Sequence, residues 1–373
     1  SYTAAMLDGV KALGQLQPTV RYPSGHKDTL EVAVLRCIRT GVAQSSGNMT
    51  IQQCKDMGWN HVLVSQHLGA RVSDTDPIAD HAGWQGKVYC IDGKDAQFDN
   101  LLDATGYPEN PLGLCGYNCR HSFTPFLPGV SQNHNKPIDT EANRRAYELS
   151  QTQRAMERRI RAQKRKCAAL HTAVKNCEDP AAKAKLQEKY TQSAKRLQEQ
   201  NAAYTKFCAD NDLKPYHERL AVAGWDRSAA STASAAVREQ KRVDKMIAEF
   251  NAEHMAKDPA ELLPKHEYAH GVKEKLLNYS LNMKEGASGR DKAVVFQAAL
   301  GYNANNYELL MQEIMAGVGR YKASGKTTTE HGEKFTVRML VKGANGRYVP
   351  IRTGWIIAPE DRTPRMTTAF VDR

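Results

Sequence analysis

The sequence predicts a multi-domain α+β protein. It comprises a mixed α/β N-terminal body, a basic antiparallel helical hairpin, and a C-terminal α+β domain whose helices precede an antiparallel sheet. Three observations carry this. Short apolar runs broken by Gly and Pro fill the first third of the chain. Residues 141–208 then switch to a sustained helical repeat. The end of the chain reads helix, helix, and then strands around an Asn345-Gly346 turn signal.

The body is expected over residues 1–131. Thr29 to Thr40 has helical spacing, with Leu30, Val34 and Ile38 four apart on one face. Lys87 to Ile91 reads as a strand closed by the Asp92-Gly93 turn. Pro108, Pro111, Pro125 and Pro128 make the later part of the body rich in loops. The hairpin is expected over 132–227. Met156, Ile160, Cys167, Leu170, Val174 and Cys177 form one stripe. Glu178-Asp179-Pro180 breaks the helix and opens the next. Leu186, Tyr190, Ala194, Leu197, Tyr204 and Cys208 then form the facing stripe.

Residues 228–264 read as a connector: the small, polar SAASTASAA stretch marks a boundary, and Val237 to Ala256 is a helix with Met246, Ile247 and Phe250 on one side. The C-terminal domain is expected over 265–373. Its helices lie near 291–300 and 305–318, and its strands at 334–341, 347–352, 354–358 and 365–371.

Length and charge bound the function. The chain has 373 residues, enough for two or three domains, and carries a net charge of +11. Such an excess favours a polyanion, nucleic acid before membrane. Fifteen Lys/Arg against six Asp/Glu lie between Arg144 and Glu199, so most of the excess sits on the hairpin. Arg158, Arg159, Arg161, Lys164, Arg165 and Lys166 are its densest part, and they are the candidate contacts to nucleic acid. The other reading is a solvated helix face. No apolar run approaches the roughly 18 residues that span a bilayer. The eight cysteines do not form a secreted disulfide pattern, which points to a reducing compartment. The numbering opens at Ser1 without Met, as expected of a processed fragment.

His81 to His121 concentrates reactive groups. Cys115 and Cys119 have zinc-ligand spacing, with His121, His81, His67 or Cys90 available to complete four ligands; Cys115, Cys119, His121 and His81 are the candidate set. Alternatively Cys119 is a nucleophile beside His67, His81 or His121, activated by Arg120. In the third reading the segment is structural. Gly113, Gly116 and the prolines then shape a tight loop, Asn118 and Arg120 satisfy carbonyls, and the cysteines pack as small apolar groups.

The ordered segments RYPSG (Arg21 to Gly25), Arg39 to Gln44, VSQHLGAR (Val64 to Arg71), HAGWQGKVYC (His81 to Cys90) and GLCGYNCRHS (Gly113 to Ser122) resemble the phage minor capsid protein 2 family. The resemblance continues through QRAMERRIRAQKR (Gln153 to Arg165) and LKPYHERLAVAGWDR (Leu213 to Arg227). Members usually carry a further helical segment upstream. The resemblance implies a head-morphogenesis protein of a virion, present in the host cytoplasm during assembly or after delivery. Its partners would be portal or capsid proteins and packaged DNA. Sequence-independent, salt-sensitive phosphate binding suits the basic hairpin.

KLLNYSLN (Lys275 to Asn282), GRDKAVVFQAALGY (Gly289 to Tyr302) and TGWIIAPEDRTPRMTTAFV (Thr353 to Val371) resemble an uncharacterised domain found at the ends of polymorphic toxins. The element order is also similar to metal-independent ribonucleases of the barnase–EndoU–colicin–RelE class. That chemistry needs an acid and a base and cations for phosphate. His331 is the candidate acid or base. Lys292, Arg338 and Arg352 would hold phosphate, and Thr367, with Thr353 and Thr368, would orient it. An immunity protein is then an expected partner. No Glu-x-Glu on a strand and no phosphate loop is present. The segment His266-Glu267-Tyr268-Ala269-His270 satisfies His-Glu-x-x-His, which leaves a metallopeptidase with Glu267 as base as a minority alternative. The competing hypothesis is a purely structural chain that binds portal and DNA.

Overall fold

A three-stranded sheet organises the first part of the chain. The computed structural model describes residues 19–22, 25, 27–93 and 95–372; Pro23 and Ser24 of the RYPSG segment lie outside them. Two short antiparallel strands, β1 (Thr19–Arg21) and β2 (Lys27–Thr29), lead into helix α1 (Leu30–Asp56). The Thr29 hydroxyl accepts from Val32 N at 3.4 Å and caps the helix. α1 runs well past the expected end at Thr40, because its second half has core to cover. Cys54 is buried there, Ala43 and Ile51 pack against the body's core, and Asn48 Oδ1 accepts from Tyr107 Oη at 2.6 Å. Its first half carries the apolar face on the surface. Leu30, Val34 and Ile38 are exposed, as are Leu35 and Val42, so the apolar stripe is not a core face.

The sheet comprises β3 (His61–Val64), β4 (Val88–Cys90) and β5 (Phe123–Pro125), ordered β4-β3-β5 and antiparallel throughout. Single-turn helices α2 (His81–Trp84) and α3 (Leu101–Thr105) flank it. Val62, Val64, Trp84, Tyr89, Leu101, Leu114 and Phe123 fill one buried cluster with Cys54.

The hairpin forms as the periodicity predicts: α4 (Thr140–Asn176) and α5 (Pro180–Asp210). Asp179 Oδ2 accepts from Ala182 N at 2.9 Å, with Pro180 in the first turn. Every residue of the two expected stripes is buried except Met156, which is half-buried. The chain divides into two compact units. The described residues up to Ala162, with Gln200–Ala221, form one; Gln163–Glu199 and Val222–Arg373 belong to the other.

SAASTASAA is helical from its first residue. It is the first half of helix α6 (Arg227–His254), capped by Asp226, whose Oδ1 accepts from Ala229 N at 2.8 Å. Alanine is the strongest helix former, and Ala233 and Val237 are buried, so propensity and packing outweigh the serines.

In the C-terminal domain α7 (Val272–Lys275) continues as a π-turn over Leu276–Ser280, followed by α8 (Arg290–Leu300) and α9 (Tyr307–Val318). The sheet is a meander, β6 (Ala323–Thr329), β7 (Gly332–Lys342), β8 (Tyr348–Ile357) and β9 (Pro364–Val371), in that spatial order. The two strands expected at 347–352 and 354–358 are one strand, and the irregularity at Gly354 is a register shift in its pairing with β9. Phe296, Leu300, Leu310 and Ile314 pack with Val337, Met339, Val341, Ile351, Trp355 and Ala369 in one core. Alternation on β7 and β8 leaves Arg338 and Arg352, paired across the strands, on the opposite face.

Proline at the exposed Ala235 separates helix from linker. Ala235→Pro is expected to destabilise the second unit by about 3 kcal/mol in urea unfolding, and a linker would show almost no change.

Candidate functional site

Two groups of residues carry chemistry, one in each unit. The first begins with the loop from Tyr107 to Phe123. Its glycines allow backbone to meet backbone: a Cβ on Gly113 would overlap the Thr105 carbonyl, and one on Gly116 the Pro111 carbonyl. Leu114 N donates to Thr105 O at 3.0 Å and Tyr117 N to Pro111 O at 2.6 Å. Cys115 and Asn118 both take φ of 58°, the left-handed conformation that asparagine tolerates well.

Arg71 clamps this loop. Its guanidinium donates to Leu112 O at 3.0 Å and to Tyr117 O at 2.5 Å. This is the role expected of Asn118 and Arg120, which instead line a cavity. His81 Nε2 donates to the same Leu112 carbonyl at 2.8 Å, which leaves Nδ1 with its lone pair. His121 Nε2 stands 3.1 Å from Gln85 Oε1, an oxygen that also accepts from His67 N at 2.9 Å. His121 Nδ1 then faces Cys119 Sγ at 3.6 Å. His67 stacks on His121 with centroids 4.4 Å apart. Its Nδ1 donates to Leu68 O, and its buried Nε2 has no hydrogen-bond partner among the described residues.

Ligand atoms of His81, Cys119 and His121 all lie within 4.8 Å of one another. Three of the four residues nominated as metal ligands are therefore brought together. Cys115 is not in this set; its buried thiol points to the His121 carbonyl at 3.9 Å. Burial, reinforced by the neighbouring histidines and arginines, lowers His81 to about 4 and His121 to about 3. Burial also raises the Cys119 thiol, and pushes Cys115 up to about 12. A protonated thiol beside a neutral imidazole differs from the pre-formed thiolate–imidazolium pair of the most reactive cysteines.

Beside these groups lies a cavity of about 190 Å³, lined by His67, His81 and His121, by Arg71, Arg120 and Arg154, and by Asn118, Tyr147, Ser150 and Gln151. Burial and the charges of Arg120 and Arg219 lower the pKa of Arg154.

The second group lies on the sheet of the C-terminal domain. Arg338 forms an ion pair with Asp372, and Arg352 Nη2 lies 3.1 Å from the same carboxylate. Arg338 Nη1 donates to His254 Nε2 at 2.8 Å, and His254 Nδ1 donates to Phe250 O at 3.2 Å. Arg352 pairs with Phe370 on β9, and Lys292 Nζ stands 5.4 Å over the Phe370 ring while donating to Thr368 Oγ1 at 2.9 Å. Lys292, Arg338 and Arg352 thus reach one face. Thr368 takes the place expected of Thr367, which sits at the irregularity beside Gly354. Thr353 is buried and accepts from Trp355 Nε1 at 2.9 Å, a packing role.

His331 does not join this group. It sits in the β6–β7 turn, is about three-quarters exposed and pairs with Glu330 at 3.5 Å. By strand rise it is roughly 20 Å from Arg338. His266-Glu267-Tyr268 is one 3-10 turn, while His270 bridges Arg365 as extended chain. The segment is not the helix that ligation at i and i+4 requires. On α4, Arg158, Arg159 and Lys166 are exposed; Lys164 and Arg165 are half-buried, and Arg161 donates to Arg219 O at 2.6 Å. The sequence does not single out His254, Arg71 and Gln85, because tertiary neighbours, not local sequence, define their roles.

This chain is similar to phage structural proteins. A "Structural protein" of Lactococcus phage LL-H is 29% identical over 150 residues, 39% of this chain and 38% of that protein. A "Structural protein" of Lactococcus phage mv4 is 42% identical over 60 residues, 16% of this chain and 49% of that protein. The chain therefore spans less than half the length of these curated relatives. Residues 1–209 match the family described as Phage minor capsid protein 2, and the chain belongs to that family. Residues 262–373 match a domain of unknown function, DUF6883. A chain of a contact-dependent growth inhibition toxin–immunity protein complex from Klebsiella pneumoniae 342 covers 28% of this chain and 93% of its own length, at 13% identity and a TM-score of 0.23. A likeness that low supports no conclusion about fold or activity.

The depressed histidines set an acid limit. Folded His81 and His121 take up protons at lower pH than the unfolded chain, whose value is near 6.5. Stability is therefore full above about pH 6.5 and falls as the pH drops toward 4 and then 3. In chelator-treated protein, the urea midpoint is expected to fall between pH 7.5 and 5, with a shallower fall in His81→Gln/His121→Gln.

Proposed function

We propose that this chain is a minor component of a phage or prophage head that docks on portal or capsid subunits during assembly and carries its C-terminal domain as cargo. The observation that carries this reading is the stripe Leu30, Val34, Ile38 and Val42. It lies on a helix within the family-matched region, yet it is exposed. A run of aliphatic side chains left in water marks a surface that another protein covers. The exposed Arg158, Arg159 and Lys166 support a second contact, to packaged DNA, held by phosphate neutralisation rather than base reading.

For the C-terminal domain the favoured reading is an effector acting on RNA, with an immunity protein as partner in the producing cell. What supports it is the row Lys292, Arg352 and Arg338 on one sheet face, with Thr368 and His254 at its two ends. Cations spaced across adjacent strands suit a phosphate backbone. His254, beside the arginines, replaces His331 as the candidate acid or base. Asp372 neutralises part of the arginine charge, so RNA would have to compete with that carboxylate. The alternative is a structural domain that only binds a partner.

Two outcomes are expected. Ile38→Glu/Val42→Glu should leave the melting temperature within a degree or two of the parent while reducing recovery of the chain in gradient-purified particles at least tenfold. Equal incorporation would reject the stripe as the docking surface. Expression of the full chain in bacteria should arrest growth with cleaved RNA, and Lys292→Ala/Arg352→Ala should relieve both. Normal growth with intact RNA would leave the structural alternative.

A further inference from the structure

We propose that His81, Cys119 and His121 form a zinc site with three protein ligands and a fourth position reached from the adjoining cavity. Geometry is the first support. Tetrahedral zinc holds nitrogen at about 2.1 Å and sulfur at about 2.3 Å, which sets ligand atoms about 3.4–3.7 Å apart. Cys119 Sγ and His121 Nδ1 are 3.6 Å apart, and all three ligand atoms fall within 4.8 Å of one another. Cys119 and His121 already stand at ligand spacing, and a separation as wide as 4.8 Å closes by about 1 Å to seat the ion.

The surroundings are those of ligands already oriented. A zinc-bound imidazole donates its other N–H to an oxygen, which fixes the ring and its tautomer. Both imidazoles do so: His81 Nε2 to Leu112 O at 2.8 Å, and His121 Nε2 to Gln85 Oε1 at 3.1 Å. The Gln85 oxygen is identified as an acceptor by His67 N, which donates to it at 2.9 Å. Each ring therefore keeps an unprotonated Nδ1, and that of His121 faces Cys119 Sγ at 3.6 Å. Cys119 Sγ also receives the His121 backbone N–H at 3.4 Å, a donor that stabilises a metal-bound thiolate. On binding, the Cys119 thiol releases its proton to solvent, and the Zn–S bond replaces the S–H bond.

Cys115 does not complete the set, so the fourth ligand comes from solution. His81 and His121 both line the cavity that also contains Arg71, Arg120 and Arg154. A zinc–thiolate pair leaves one positive charge, and three guanidiniums add to it. The fourth ligand is therefore anionic, hydroxide or a phosphate-type oxygen, rather than a fourth neutral side chain. Three protein ligands and an open position are the arrangement of reactive rather than purely structural zinc.

The test uses the full chain. After dialysis against zinc and then buffer, metal analysis is expected to give one zinc per chain. Cobalt substitution is expected to give a near-ultraviolet thiolate-to-cobalt band that disappears in Cys119→Ser and persists in Cys115→Ser. Retention of no metal by the parent, or a band that survives Cys119→Ser and is lost in Cys115→Ser, would overturn the assignment. If Cys119→Ser does not fold, alkylation of the parent decides. Zinc should slow maleimide labelling of Cys119 at least tenfold relative to chelated protein, and equal labelling with and without zinc would refute the site.

Discussion

The body of this protein depends on one constraint. The loop from Thr105 to His121 has an exposed side, with Pro108, Glu109, Pro111, Leu112, Asn118 and Arg120, and buried stretches at Thr105–Tyr107, Gly113–Gly116 and His121 whose backbone groups must find partners within the protein. A buried carbonyl left unpaired costs on the order of 1–3 kcal/mol, and several in one loop would exceed the margin of a small domain. Arg71 meets two of the loop's carbonyls, at the exposed Leu112 and the half-buried Tyr117, His81 shares the first, and the loop's own amides meet the Thr105 and Pro111 oxygens. Gly113 and Gly116 are required because only a missing Cβ lets these backbones approach. Once the loop is fixed, His121 is delivered to Gln85 and Cys119, Phe123 enters β5, and Leu114 and Cys115 enter the core. Burial then favours the neutral form of His81 and His121, in which one ring nitrogen of each carries a lone pair.

Much of this is legible in the sequence, and the failures have physical causes. The hairpin stripes can be read almost residue for residue, since two long helices give a periodic pattern many turns in which to declare itself. The α1 stripe is equally clear, but periodicity identifies an apolar face without saying what covers it. SAASTASAA does not declare its conformation, because alanine and serine suit both extended chain and helix; with Ala233 buried the stretch is helical. β6 is invisible because its ASGKTTT sequence has almost no apolar residue to alternate.

The reactive groups follow the same division. His81, Cys119 and His121 are identifiable by type and spacing, and the fold brings them together. Cys115 has the right spacing, but its thiol is spent on the His121 carbonyl. Lys292, Arg338 and Arg352, far apart in sequence, meet because adjacent antiparallel strands align Arg338 with Arg352 and Arg352 with Phe370. His331 lies in a turn at the end of the sheet, where no register can carry it to that row. The charge pattern is also informative in part: the basic run on α4 contains the exposed Arg158, Arg159 and Lys166, the half-buried Lys164 and Arg165, and Arg161, which is tied to a backbone carbonyl, so the exposed three are the most accessible to a polyanion.

The keystone role of this loop is tested most directly by hydrogen–deuterium exchange of the full chain in the presence of a chelator. Peptides covering Thr105 to His121 should exchange as slowly as those covering β3, opening only with the whole body. Exchange of the loop within seconds, while β3 stays protected, would show an ordinary surface loop and contradict the account.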